Sequence, residues 1–179
     1  MTTTTTLSEL TGDYVLDSAR TRIGFVARAA LVSKVRGRFD EFEGDAHLDG
    51  DDPAMSAVRL VIRAGSVRTG KQRCDDHLRS ADFLDIDNHP TITFVSTGVE
   101  QVGRTGFKVT GDLTVHGVTE PATVGFELTG AEHDPRGGLR VGFKGNALVN
   151  RNDWGVSRGG FLIGDMVVIE LDVTVIRRS

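Results

Sequence analysis

The chain is short of cysteine, of aromatic residues and of positive charge. Cys74 is the only cysteine among 179 residues, which excludes an internal disulfide, removes the argument for an oxidising compartment and leaves one thiol free to react. The formal net charge of −4 provides no broad basic field for phosphate backbones. We therefore expect no nucleic-acid partner.

Long apolar runs and targeting signals are also missing. No window approaches the roughly 18 apolar residues of a membrane-spanning helix, so we expect no membrane span. The stretch from Met1 to Thr6 has neither a cationic leader nor an apolar run, unlike a secretory signal. These absences favour the cytoplasm, with residues 1–12 as a disordered N-terminal segment and residues 13–179 as one domain.

Alternation of apolar and polar residues, the pattern of a strand with one dry and one wet face, runs through most of the sequence. Near the C-terminus, Ile169, Leu171 and Val173 alternate with Glu170, Asp172 and Thr174. Turns rich in glycine, aspartate and proline separate such stretches, which is typical of a β-sandwich or β-barrel. The predicted main strands are 21–28, 37–48, 56–63, 91–100, 106–115, 121–130, 139–150 and 165–176, with a short strand at 12–17.

Residues 69–84 break this rhythm. Thr69 stands three residues before Gln72, the spacing of a helix capping box, and Leu78, Ala81 and Leu84 recur at helical spacing. We expect one short helical insertion in an otherwise all-β chain, covering one end of the barrel.

Three of the 22 glycines, Gly98, Gly111 and Gly145, fall on the apolar faces of predicted strands. An interior glycine either lets a strand bend or leaves space. A barrel of about eight strands is just wide enough to be filled by side chains or to hold one small ligand. The glycines favour a cavity slightly, and bending alone stays open as the alternative.

Catalytic and metal-binding motifs are weak. Residues 155–159 match the G-x-S-x-G pattern of hydrolases, but Ser157 stands between two predicted strands rather than between a strand and a helix. Five aspartates and two histidines crowd residues 75–89 without a zinc or calcium spacing, which favours a solvated acidic flank. His47, His116 and His133 are scattered along the sequence, without a partner carboxylate or cysteine at a recognisable spacing. We predict no catalytic residue, no metal and no cofactor.

The stretch from Arg151 to Gly155 follows a long predicted strand and contains the only tryptophan. At a barrel mouth, Arg151 and Asp153 would suit the polar head of a ligand. Alternatively, the two form a local ion pair while Trp154 braces the barrel end.

Five blocks of the sequence resemble one known family. They are FVARAALVSKVRGRFDEFEG (25–44), HLRSADF (77–83), HPTITF (89–94), GDLTVHGVT (111–119) and RNDWG with the preceding Asn150. In this order they are similar to the YceI-like polyisoprenoid-binding family. The resemblance implies a single YceI-like domain over residues 13–179, built as a lipocalin-like extended antiparallel β-barrel.

The resemblance also implies a function: non-catalytic binding, storage or transport of a polyisoprenoid or other long apolar lipid, such as an isoprenoid quinone or a polyprenyl phosphate. It makes a homodimer plausible. Strand alternation and block position then select the ligand-binding candidates, which are Phe25, Phe94, Phe107, Leu113, Phe126, Val141, Phe143, Arg151, Asp153, Trp154, His77 and Leu78.

Two departures from the family limit this inference. Relatives often carry a histidine at the position of Ala29, so a role of that side chain is lost here. Many also have a secretory leader, so a periplasmic carrier function does not transfer.

Two other functions remain open. In one, the chain is an enzyme acting on a lipid held in the barrel, with His77, Arg79, Arg151 or Asp153 converging at the mouth. In the other, side chains fill the barrel, which then has a structural or interaction role and no continuous cavity.

Overall fold

A computed structural model of the protein describes residues 6–29, 33–157 and 163–178. Over these residues the chain forms eleven β-strands, one α-helix and five short 3-10 turns. The strands are β1 (Gly12–Leu16), β2 (Arg22–Ala29), β3 (Ser33–Phe39), β4 (Phe42–Leu48), β5 (Ala57–Arg63), β6 (Val67–Arg68), β7 (Thr91–Val102), β8 (Gly106–Val115), β9 (Val118–His133), β10 (Leu139–Asn150) and β11 (Ile163–Arg177). The helix, α1, covers Gln72–Arg79.

Eight strands close into an antiparallel ring in the order β1–β4–β5–β7–β8–β9–β10–β11. The ring is completed by β11, which pairs with β1 through Arg177 and Tyr14. A different part of β11 pairs with β2, and β3 and β6 extend the sheet from there. The prediction of an all-β, eight-stranded barrel with one helical insertion is confirmed.

The predicted single strand over residues 37–48 is wrong, because the chain turns at Asp40 and Glu41. Asp40 there binds Arg38 (2.9 Å) and Arg68 (2.7 Å), while the Glu41 amide donates to the hydroxyl of Ser66 (3.0 Å). The turn shifts the apolar alternation by one residue, so β3 pairs with β2 whereas β4 pairs with β1 and β5.

The N-terminal segment that we predicted to be disordered contains a 3-10 turn at Leu7–Leu10. Leu10 is buried, and the buried hydroxyl of Tyr14 donates to its carbonyl (2.7 Å). Both residues pack with Leu139, Val141 and Val175. The segment thereby covers one end of the barrel.

The helix covers the other end, but Thr69 does not cap it. The residue before the helix is Lys71, whose side chain makes no capping bond. The hydroxyl and amide of Thr69 instead donate to one carboxylate oxygen of Asp75 (2.6 and 2.7 Å), because an ionised carboxylate is the stronger acceptor. Among the described residues, no helix is long and apolar enough to cross a membrane.

Candidate functional site

The barrel interior contains two cavities, of about 320 Å³ and about 110 Å³. Five residues line both, so the cavities follow one another along the interior; they are Ala46, Val58, Phe126, Val173 and Val175. The larger cavity extends to α1 and to the 3-10 turn Arg151–Trp154, and the smaller one ends at the Leu7–Leu10 turn. The larger volume lies within the range of small-molecule sites, and a barrel filled by its own side chains does not fit this interior.

The cavity walls are apolar because the inward positions of the strands carry aliphatic and aromatic residues. Leu113 and Phe126 point into the barrel yet keep part of their surface accessible, since they border empty space. The rings of Phe107 and Phe126 both lie edge-on to the ring of Phe143, with centroids 6.4 and 6.2 Å away. A ligand in this interior meets hydrocarbon and aromatic surface.

Most of the predicted ligand-binding residues lie in the cavity walls. Those that line the larger cavity are Phe25, Phe94, Leu113, Phe126, Arg151, Trp154, His77 and Leu78. Phe107 and Phe143 line the smaller cavity. Their contact with a ligand stays a prediction.

Two candidates lie elsewhere. Val141 points inward from β10 but is fully buried under Leu10 and Tyr14, so it is part of the core that ends the smaller cavity. Asp153 is exposed on the Arg151–Trp154 turn. The side chain of Ala29, at which we expected a departure from the family, lies outside the described part of the structure.

The inward glycines do not leave the space that the sequence suggested. A Cβ on Gly111 would lie 2.6 Å from the ring of Phe94, and one on Gly145 would lie 2.6 Å from the ring of Phe126. Gly37, which the sequence analysis passed over, receives the ring of Phe25 in the same way. These glycines give aromatic rings of neighbouring strands room to lie against the sheet.

Gly98 is exposed and faces open space rather than the interior. The pairing of β7 with β8 shifts between Ser96 and Gly98, and this irregularity reverses which residues point inward. Its placement on an apolar face was therefore wrong.

Trp154 braces the end of the larger cavity, where it packs with Phe83 and Val156. Its indole N–H donates to the carbonyl of Leu113 (2.8 Å). The buried guanidinium of Arg151 donates to the carbonyls of Val156 (2.6 Å) and Gly164 (3.1 Å), which ties this turn to β11. This end of the barrel is thus covered by a hydrogen-bonded cap.

Two of the polar residues that an enzyme would use at the barrel mouth, His77 and Arg79, contact different partners. His77 lies 3.9 Å from Asp82, and both side chains are more than half exposed. Arg79 donates to the carbonyls of Gly65 (3.0 Å) and Val67 (2.8 Å).

The G-x-S-x-G motif is only partly described. Ser157 is exposed after the 3-10 turn, and Arg158 and Gly159 lie outside the described residues. The segment leading to Ser157 has a 3-10 turn directly after strand β10, unlike the strand, sharp turn and helix of hydrolases.

Cys74 is partly buried and lines the larger cavity beside His77 and Leu78. The three residues lie on α1, so the helix contributes both a thiol and an imidazole to a wall that is otherwise mostly apolar. Cys74 therefore offers a chemical probe of this end of the cavity.

Sequence reasoning missed one cluster outside the cavities. Asp85, His89 and His116 place one ligating atom each within 4.8 Å of one another. From the sequence, Asp85 and His89 were predicted to lie in a solvated acidic flank and His116 to stand apart. Only the fold brings the β8–β9 turn next to the segment before β7.

Comparison with known proteins gives consistent results. A family model described as "YceI-like domain" matches residues 14–175. A "UPF0312 protein" of Pseudomonas syringae pv. tomato is 34% identical over 167 residues, covering 92% of this chain and 85% of the relative. One of Azotobacter vinelandii is 35% identical over 151 residues, covering 83% and 79%.

Solved structures show the same fold. BcnA of Burkholderia cenocepacia is similar with a TM-score of 0.80 at 23% identity, covering 89% of this chain and 98% of that one. The YCEI protein of Campylobacter jejuni has a TM-score of 0.77 at 24% identity, covering 85% and 90%. A domain from Saccharophagus degradans, described as polyisoprenoid binding, has a TM-score of 0.70 at 17% identity, covering 92% and 98%.

Proposed function

Because the chain belongs to the family of YceI-like domains, we propose that its barrel binds a polyisoprenoid or another long apolar lipid without chemical turnover. The observation that carries the proposal is the pair of consecutive apolar cavities inside the closed ring. The polyisoprenoid-binding description of the Saccharophagus degradans domain supports the choice of ligand class.

Burial of hydrocarbon supplies the free energy of binding. Each CH₂ group moved from water into an apolar site contributes about 0.8 kcal/mol, so a five-carbon isoprene unit contributes about 4 kcal/mol before ordering costs. Two or three units held in the cavities are enough for useful affinity. The role in the cell that follows from such binding is storage, transport or protection of the lipid.

The first test is native mass spectrometry of freshly purified protein, followed by lipid extraction. The delipidated protein is then titrated with an isoprenoid quinone, a polyprenyl phosphate and a straight-chain fatty acid. Trp154 is the only tryptophan and lines the larger cavity, so its fluorescence reports occupancy there. Failure of every prenyl lipid to co-purify, to change this fluorescence or to raise the melting temperature contradicts the proposal.

Two alanines allow the cavities to be blocked selectively. Ala122→Phe places a ring in the larger cavity, and Ala46→Phe places one where the two cavities meet. The control is Ala57→Phe at an exposed position of β5. We expect Ala122→Phe to abolish binding, Ala46→Phe to weaken long chains more than short ones, and Ala57→Phe to bind as the unchanged protein does.

A separate measurement tests whether the protein changes the bound lipid chemically. The bound lipid is recovered after prolonged incubation and compared by mass with the lipid supplied. Unchanged mass agrees with a binding function, and a modified product that disappears in Ala122→Phe indicates an enzyme.

The cytoplasmic location and the homodimer also stay part of this proposal. Leu148 and Val168 pair across β10 and β11 on the outer face of the sheet and are 64% and 39% exposed, which favours self-association at this face. Cell fractionation tests the location, and light scattering after size-exclusion chromatography tests the dimer.

A further inference from the structure

Asp85, His89 and His116 meet beside the capped end of the barrel. Asp85 and His89 lie in the segment between α1 and β7, whereas His116 lies in the tight turn between β8 and β9. The residues flanking this turn, Val115 and Val118, pack against the cluster that includes Trp154. The three side chains therefore join two separate segments next to the cap.

Their distances suit a single metal ion. The three potential ligand atoms lie within 4.8 Å of one another, and the rings of His89 and His116 have centroids 5.0 Å apart. Bonds of about 2.0–2.2 Å from Zn²⁺ to imidazole nitrogen and carboxylate oxygen, at tetrahedral angles, place ligand atoms about 3.3–3.6 Å apart. Side-chain rotations that close a gap of up to about 1.5 Å bring all three onto one ion.

The backbone is unusual at two of the three residues. Asp85 and His116, with φ of 50° and 55°, are the only non-glycine residues of the described chain in the left-handed region. This region is sparsely populated by residues other than glycine, and such conformations cluster at functional sites. Here both strained positions direct a metal-ligating side chain to the same place.

Neighbouring groups position the two ligands from the 85–89 segment. The amides of Asn88 and His89 donate to the carbonyl of Asp85 (3.1 and 2.8 Å), which folds the segment into a turn. The side-chain amide of Asn88 donates to one carboxylate oxygen of Asp85 (2.9 Å) and orients it. Ligating carboxylates are commonly held in this way.

Gly117 makes room for His89. A Cβ at Gly117 would lie 2.7 Å from Cε1 and 3.1 Å from Nδ1 of that ring. With φ of 73°, Gly117 also completes the two-residue turn that His116 begins. The turn therefore carries the imidazole of His116 and leaves space for the imidazole of His89.

We propose that Asp85, His89 and His116 bind one divalent transition-metal ion, with Zn²⁺ as the best-matched probe. Two imidazoles and one carboxylate are a ligand set that zinc-class ions prefer over Mg²⁺ or Ca²⁺, which select oxygen ligands. Three protein ligands leave one tetrahedral position for water or another donor. The bound ion cross-links the 85–89 segment to the β8–β9 turn and so stiffens the end of the barrel that Trp154 covers.

The test uses the full chain without a histidine tag, freed of metal by chelator and titrated with Zn²⁺ in a calorimeter. Asn tolerates the left-handed backbone, so Asp85→Asn and His116→Asn remove a ligand and keep the fold; the unfolding midpoint of each metal-free variant verifies this. His133→Asn, at an exposed histidine on β9, is the matched control. Cys74→Ser removes the only thiol that competes for zinc.

We expect one Zn²⁺ per chain, with the affinity lowered at least about tenfold in Asp85→Asn and in His116→Asn. His133→Asn and Cys74→Ser should bind as tightly as the unchanged protein. Zinc should raise the melting temperature of the unchanged protein and of both controls but not of the two ligand variants. The proposal is overturned by absence of zinc binding, by full affinity in either ligand variant, or by loss of binding in Cys74→Ser.

Discussion

At the scale of single residues, the contact between Gly145 and the ring of Phe126 yields a direct prediction. A methyl group at Gly145 would lie 2.6 Å from Cε1 of the ring, whereas one at Gly125 would meet nothing within 4 Å. Gly145→Ala should therefore lower the free energy of unfolding by about 1–3 kcal/mol through overpacking. Gly125→Ala is the control, and urea unfolding is the measurement.

A second substitution tests whether the ring of Phe126 causes the loss of stability in Gly145→Ala. In a Phe126→Leu background the ring is gone, so Gly145→Ala should cost much less, and a double-mutant cycle measures this coupling. Equal costs of Gly145→Ala in both backgrounds would show that the strain comes from the strand itself rather than from the ring.

Asp134, again a single residue, makes the stability of the protein depend on pH. The backbone N–H of Arg136 is the main cause that holds the pKa of Asp134 below its usual value, and Arg140, whose guanidinium donates from 2.6 Å, adds to it. Because the pKa is lower in the folded chain, this group stabilises the protein above the unfolded value of about 3.9, and the contribution is lost as the pH falls further. Asp134→Asn should therefore be less stable at pH 7 and lose less stability between about pH 4 and pH 2. Urea unfolding of both proteins at several pH values measures how the free energy of unfolding changes with pH. An equal change in the two proteins would contradict this role of Asp134.

At the scale of elements, the turn Arg151–Trp154 depends on one side chain. The guanidinium of Arg151 donates to the carbonyls of Val156 and Gly164 at once, and a lysine ammonium cannot reproduce this planar geometry. Arg151→Lys should cost about 2 kcal/mol of unfolding free energy and shift the emission of Trp154 to longer wavelength. Arg20→Lys, at an exposed arginine on a surface ion pair, should change neither. An unshifted emission in Arg151→Lys would show that the cap does not depend on these bonds.

The elements also show what sequence patterns can predict. The bounds of β8 and β10 follow from alternation alone, because each runs without interruption between two turn signals. The corner at Asp40 escaped this reasoning, since apolar residues continue on both sides and only the shift in parity between Phe39 and Phe42 marks it. The capping box failed because Asp75 competes for Thr69 from within the helix.

The candidate site residues also include some that sequence patterns can predict and some that they cannot. Aromatic residues such as Phe94 and Phe126 were predictable as wall residues because inward positions of a barrel strand repeat every second residue. Val141 points inward as alternation predicts but lies in the core, because alternation gives direction and not depth, and the Leu7–Leu10 turn that covers it is distant in sequence. The cluster of Asp85 and His116 needs backbone conformations and a tertiary contact, neither of which leaves a spacing in the sequence.

At the scale of the whole molecule, the two ends of the barrel are closed by different segments, and the N-terminal one can be loosened separately. Leu10 is 4% exposed and lines the smaller cavity. Leu10→Ala should cost about 2–5 kcal/mol of unfolding free energy and speed release of the bound lipid, followed by stopped-flow fluorescence of Trp154. Met55→Ala, at a 65% exposed methionine, is the control for both. Unchanged release in Leu10→Ala would place the exit at the opposite end.

The ring is closed by pairing between the first and the last strands that the structure describes, β1 and β11. During folding, β1 pairs with β4, but the ring is complete only when residues 175–177 of β11 reach the other edge of β1, and these residues are distant in sequence. Pairing between such distant segments is slow, and until it happens the barrel is an open sheet with two unpaired edges and an apolar face in water. We expect this closing step to allow a lipid to be enclosed without opening either cap.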